Sequence, residues 1–225
     1  MNAPTLQPRT PATAMLVVLG GIAMLSGLLV VLAAQLTAPR IAENQRQAIE
    51  RALVKVIPGS VTYRRYKVEE GRLLPAGEAD DDILYAGYDD RGRLLGIAAR
   101  AAAQGYADMI YLLYGYDPGC ECIRGIQVLK LAETPGLGDK IMKDPDFLKN
   151  FEALDARLDA AGTALLNPIV TVKHGSKRNP WEIDAISGAT ISSRAVGKAL
   201  NRSAQKLLPA IHPLLQQIHR LEEKG

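Results

Sequence analysis

The strongest constraint on the fold is a stretch without a single charged side chain. Residues 14–36 read AMLVVLGGIAMLSGLLVVLAAQL, 23 residues in all. As a helix this run is about 35 Å long, enough to cross a bilayer with some tilt. A cleaved signal peptide is the competing reading. Its apolar core is normally shorter and its leading segment more basic, whereas residues 1–13 carry Arg9 as their one charge. The expectation is therefore an uncleaved single-pass anchor, with residues 1–13 before it and one domain, 37–225, after it. Gly20, Gly21, Ala23 and Gly27 offer small side chains where another membrane helix can approach, although glycine is common in such helices anyway.

Composition removes several function classes. A formal net charge of +3 over 225 residues is too mild to argue for nucleic acid. Two cysteines, Cys120 and Cys122, are too few for a zinc or iron–sulfur site within the chain. A disulfide between them would close a very short, strained loop, so they read as ordinary turn or strand thiols. His174, His212 and His219 are scattered and read as structural or surface residues. No G-x-G-x-x-G follows a strand, and there is no P-loop, no Ser-His-Asp signature and no metal cluster.

The chain beyond the anchor predicts an α+β domain with antiparallel hairpins and flanking helices. Residues 40–57 carry Ile49, Leu53, Val56 and Ile57 at helical spacing, and Pro58-Gly59 ends the run. This is a stalk helix, the first helix of the domain, or both. An approximate internal repeat follows at an offset of 28–29 residues. Leu84-Tyr85-Ala86-Gly87-Tyr88-Asp89, a turn at Gly92 and Leu95-Gly96-Ile97 match Leu113-Tyr114-Gly115-Tyr116-Asp117, a turn at Pro118-Gly119 and Arg124-Gly125-Ile126. Each half reads as a hairpin. Gln104-Gly105-Tyr106, between them, reads as a loop and not a site. Phe147, Phe151, Leu154 and Leu158 predict an amphipathic helix over 145–160, and Ile169–Val172 a strand. The tail reads as a helix from Ser193 to about Leu208, broken near Pro209, then a second apolar stripe of Ile211, Leu214, Leu215, Ile218 and Leu221. Lys198, Arg202 and Lys206 share one face, which most often means a solvated one.

Two stretches carry the chemistry. Asp184-Ala185-Ile186-Ser187-Gly188-Ala189-Thr190, with Ser192 and Ser193 beyond, places four hydroxyls within seven residues just before an apolar helical run. A helix start with free N–H groups suits a phosphate. A simple side-chain N-cap is the plainer alternative. Upstream, Glu133-Thr134-Pro135-Gly136-Leu137-Gly138-Asp139-Lys140 is a loop in which Pro and Gly forbid regular structure.

The first stretch resembles the flavinylation motif, Asp-x-x-Ser/Thr-Gly-Ala-Thr, of FMN-binding domains in respiratory electron-transfer complexes. The second resembles the ETPGLG loop of the G subunits of Rnf complexes. The resemblance implies one FMN, joined through its phosphate to Thr190 by a flavin transferase during maturation. Asp184, Ser187, Gly188, Ala189, Glu133, Thr134, Leu137, Gly138 and Lys173 are then the cofactor-binding residues, with Thr134, Leu137 and Gly138 best placed to touch the flavin. Lys173, Lys140 and Arg194 are candidate counter-charges to the phosphate. The chain would be an electron-transfer subunit with no catalytic residue, no metal and no independent turnover. Its partners would be the other membrane subunits of a complex coupling ferredoxin/NAD electron flow to ion translocation. The C subunit of the sodium-pumping NADH:quinone reductase shares the flavin motif and is the alternative; a membrane-anchored module without redox function is the other. Topology sets two arguments against each other. Arg40, Arg46, Arg51 and Lys55 follow the apolar run, which by the positive-inside rule puts the domain in the cytoplasm. The resemblance implies a bacterial inner-membrane protein with a periplasmic domain, and that expectation is adopted.

Overall fold

The computed structural model describes residues 12–77, 80 and 82–220. Residues 1–11 of the expected cytoplasmic N-terminus, and Leu221 of the tail stripe, lie outside them. The chain divides into two compact units, Met1–Gln47 and Ala48–Gly225.

Helix α1 (Ala12–Val56) is continuous for 45 residues, with Pro39 inside it. The separate helix expected from residue 40 is thus the end of the same helix. Proline removes one backbone donor but its fixed φ is helical, so a long helix can pass through it. The apolar part of α1 is long and apolar enough to cross a membrane.

The second unit is built on a seven-stranded sheet: β1 (Thr62–Glu69), β2 (Arg72–Pro75), β3 (Leu84–Tyr88), β4 (Leu94–Gln104), β5 (Met109–Asp117), β6 (Cys122–Lys130) and β7 (Leu154–Asp155). The order is β2-β1-β3-β4-β5-β6-β7, and every neighbouring pair is antiparallel. The hairpins read from the repeat are β3–β4 and β5–β6.

Side chains alternate between the two faces with the period of two that a pleated strand imposes. Ile97, Ala99, Ala101 and Ala103 of β4, with Ile110, Leu112, Tyr114 and Tyr116 of β5, enter the main core. Ala98 and Leu113 point the other way, into a smaller core with Ala52, Leu53, Val56 and Ile57. The repeat explains how these last residues are seated. Gly87 pairs with Gly96, and Gly115 with Gly125, across adjacent strands. A Cβ at Gly87 would lie 3.0 Å from Ile57, one at Gly125 would lie 3.3 Å from Val56 Cα, and one at Gly115 would collide with the Val56 carbonyl. The repeated glycines form a floor on which residues 55–57 rest.

The opposite face is covered by α3 (Thr190–Ile211), whose Ala195, Ala199, Leu200, Ala204 and Leu208 are buried. Ser203 donates to the Arg100 carbonyl at 3.2 Å and lies 3.0 Å from the Tyr114 hydroxyl, tying α3 to β4 and β5. Helix α3 runs through Pro209 to Ile211, beyond the break expected there. The His212 N–H reaches back to the Leu208 carbonyl and closes the last turn around the proline. A short 3-10 turn (His212–Leu214) and α4 (Leu215–Arg220) follow.

Two further expectations are corrected. The helix expected over 145–160 is only α2 (Pro145–Lys149), after which the chain turns into β7. Asn150 stops it: its amide donates to the Phe147 carbonyl at 2.9 Å, and its Oδ1 accepts the Asp184 N–H at 3.0 Å. The side chain thereby ends α2 and anchors β9 (Glu182–Asp184), which pairs in parallel with β8 (Val170–Val172). The cysteines are not free thiols: Cys120 and Cys122 form a disulfide, with Cα atoms 5.2 Å apart. That separation lies inside the bridging range. It arises because the intervening Glu121 takes a positive φ of 51° at the tip of the β5–β6 hairpin.

Candidate functional site

The two chemistry-bearing stretches fold into the same local device. Thr134-Pro135-Gly136-Leu137 is a turn closed by Leu137 N–H to the Thr134 carbonyl at 3.2 Å, and Ile186-Ser187-Gly188-Ala189 one closed by Ala189 N–H to the Ile186 carbonyl at 3.1 Å. Gly136 and Gly188, third in each turn, have φ of 79° and 80°. A turn with that third-residue conformation selects glycine. The first turn leads into a 3-10 helix (Gly138–Met142), so regular structure begins at Gly138, inside the expected loop. The second leads into α3.

Helix α3 starts without a side-chain cap: its cap residue is Ala189. The first hydrogen bond to that residue comes from the Ser193 N–H. The N–H groups of Thr190, Ile191 and Ser192 therefore have no acceptor among the described residues, and they carry the positive end of a 22-residue helix.

The four hydroxyls of the motif are not equivalent. Ser193 donates to the Ala189 carbonyl at 2.9 Å and accepts from the Ile186 N–H at 3.1 Å. Ser192 donates to Glu133 at 2.6 Å. Ser187 is exposed. Thr190 is half-buried, and its hydroxyl has no hydrogen-bond partner among the described residues.

The two turns meet at one cavity of about 400 Å³. Glu133, Thr134, Leu137 and Gly138 line it from one side and Gly188, Ala189, Thr190, Ile191 and Ser192 from the other, with Tyr106 at its mouth. Seven of the ten expected site residues, Thr190 included, are among these. The volume lies in the range of cofactor pockets. Tyr106, 71% exposed, belongs to the segment read from sequence as a loop away from the site. Its place follows from the β4–β5 connection, and no local pattern announces it.

The other expected residues lie elsewhere. Asp184 and Ser187 line an adjoining cavity of about 300 Å³ with Lys140 and His174. Asp184 Oδ2 accepts the Gly175 N–H at 3.0 Å, while its Oδ1 is buried with no partner among the described residues. His174 sits 3.0 Å from the Ala185 carbonyl and 3.6 Å from Asp184. Lys177, bonded to Asn150 at 3.1 Å, has its ammonium pKa lowered by burial against the pull of Asp184 and Glu182. Lys173 and Arg194 line neither cavity. The loop is braced from outside by Asp139, whose carboxyl is held below its usual range first by Lys143, 3.0 Å away.

A cavity walled by two glycine turns, with uncapped helix N–H groups and a free hydroxyl at one end, suits a flat aromatic ligand bearing a phosphate. Residues 105–205 match the family model described as an FMN-binding domain, and residues 17–56 match that of the RnfG N-terminal region. The class is thus an FMN-binding domain carried behind an apolar N-terminal helix. The relatives are proteins named as the G subunit of the ion-translocating oxidoreductase complex. The one from Methanosarcina acetivorans is 32% identical over 71% of this chain and 73% of its own length. One from Pseudomonas aeruginosa is 31% identical over 82% and 83%, and that of Escherichia coli 29% over 78% and 82%. The chain belongs to this G-subunit family. Among solved structures, NqrC of Shewanella oneidensis superposes with a TM-score of 0.60 at 19% identity, covering 82% of this chain and 100% of that one. The C subunit of the Na(+)-translocating NADH-quinone reductase of Parabacteroides distasonis gives the same score and identity, over 78% and 94%. At that identity the likeness is one of fold.

Proposed function

We propose that this protein is the electron-transfer G subunit of an Rnf-type complex and carries one FMN, ester-linked through its phosphate to Thr190. The observation that carries the reading is the position of the Thr190 hydroxyl. It has no partner among the described residues, stands at an uncapped helix N-terminus, and lines the cavity that both glycine turns enclose. Ser192 and Ser193 are engaged in internal bonds, and Ser187 faces the adjoining cavity.

When bound, FMN supplies reversible electron uptake and release. The chain's own part is to hold it. Thr190 provides the ester oxygen. The N–H groups of Thr190, Ile191 and Ser192 would offset the phosphate charge, a role no lysine or arginine among the described residues fills at this cavity. Leu137 and Ile191 supply apolar contact, and Gly138 allows close approach. Lys140, lining the adjoining cavity with Asp184 and Ser187, is the nearest candidate for a second counter-charge or for recognition by the flavin transferase. The part of the chain after residue 36 faces the periplasm. The Cys120–Cys122 disulfide supports that side, since such bonds persist in oxidising compartments.

Protein purified from its native membrane should give a fluorescent flavin band on a denaturing gel. Thr190→Ala should abolish the band, while Ser187→Ala should retain it. A band surviving in Thr190→Ala would overturn the assignment.

A further inference from the structure

The flavin cavity has one ionisable side chain of unusual placement. Glu133 is 8% exposed. Its Oε2 accepts the Ser192 hydroxyl at 2.6 Å and its Oε1 accepts the Ala107 N–H at 3.1 Å. A Cβ at Gly138 would lie 2.6 Å from Oε2, and one at Gly105 would collide with Oε1. The carboxylate therefore occupies a slot built by three segments far apart in sequence: the β4–β5 turn, the glycine-rich loop and the first turn of α3. Those segments are the walls of the cavity.

Burying a carboxylate is costly unless donors compensate it. Here the compensation is two hydrogen-bond donors and the first turn of α3, whose partial positive charge favours an anion. None of the described residues lining the cavity is a cation. Each Glu133 oxygen is already turned to a protein donor, which is the arrangement of a brace and not of a ligand.

We propose that Glu133 is a positioning residue: it ties the β4–β5 turn and the start of α3 to the glycine-rich loop, and its charge weighs against electron uptake at the cavity. The second half rests on the FMN reading above. Adding an electron brings negative charge next to a fixed anion with no cation lining the cavity to offset it, and that raises the free energy of the reduced form.

Two measurements on the full-length protein test this. The first uses protein made without flavin transferase and reads hydrogen–deuterium exchange at residues 105–109. In Glu133→Ala the Ala107 amide should exchange at least tenfold faster. Ser192→Ala should give an intermediate rate, and serves if Glu133→Ala fails to fold. Unchanged exchange in these variants overturns the tie. The second is a spectroelectrochemical titration of flavin-loaded Glu133→Gln, which keeps the shape and removes the charge. At the potential where the parent protein is half reduced, its reduced-to-oxidised ratio should rise roughly tenfold. An unchanged midpoint overturns the electrostatic role. If Ala107 exchange accelerates as expected but the parent protein carries no flavin, the tie stands, and the FMN reading falls together with the electrostatic role.

Discussion

Thr190 is distinguished by what its hydroxyl lacks. Four hydroxyls stand within seven residues in the sequence, and no rule of spacing ranks them. Folding does, by giving Ser192 and Ser193 buried partners and leaving Thr190 open at the cavity. The family resemblance points to the same Thr190. The role of Glu133 is not legible in the sequence, because its partners sit 26 and 59 positions away. Glycine shows the same division. Gly136 and Gly188 are readable as turn residues, whereas Gly115 needs no special φ. What it needs is absence of a side chain, because the Val56 backbone rests on it. Gly115→Ala should therefore lower stability by about 1–3 kcal/mol, as overpacking does. Thermal unfolding of the detergent-solubilised protein reads this. Gly136→Ala, strained only locally, should cost less; a reversed order would remove the floor from the account.

Elements are legible where pattern and topology agree. The hairpins β3–β4 and β5–β6 carry alternation and turn residues together. The β1–β2 hairpin at the sheet edge is harder to read: Tyr66 and Val68 alternate with Arg65, Lys67 and Glu69, but the Arg64-Arg65 pair cuts the pattern short. The stretch 145–160 shows the converse failure. Phe147, Phe151, Leu154 and Leu158 satisfy a helical period, yet the core takes them from a short helix, a turn and a strand. The two phenylalanine rings still meet, edge to face at 5.2 Å. The deciding residue is Asn150, whose side chain bonds Phe147, Lys177 and both backbone groups of Asp184. Asn150→Ala removes all of these side-chain bonds at once, at a cost of about 2 kcal/mol. Because β9 runs directly into the Asp184–Thr190 motif, the same variant should also accept flavin more slowly. Full stability with normal loading would mean that β9 is held by its pairing with β8 alone.

At the scale of the whole molecule, membrane anchoring follows from one uncharged run, but its orientation does not. The basic residues after the anchor argue for a cytoplasmic domain. The disulfide argues against it. Nothing in the short Cys-Glu-Cys spacing requires a bond; the hairpin tip creates the geometry by setting Glu121 at positive φ. Long domains translocate largely regardless of flanking charge, so the charge count is the weaker of the two arguments. The bond also makes orientation measurable without a fusion. Cys120 is exposed and Cys122 buried, and the chain has no other cysteine, so any thiol signal reports this pair. In intact spheroplasts a membrane-impermeant maleimide should leave the protein unlabelled, and brief treatment with an impermeant phosphine reductant should then allow labelling at Cys120. The periplasmic assignment predicts that lysis adds nothing to this signal. Labelling that needs no reductant but does need lysis would mean a reduced pair in the cytoplasm, and the positive-inside reading would stand in its place.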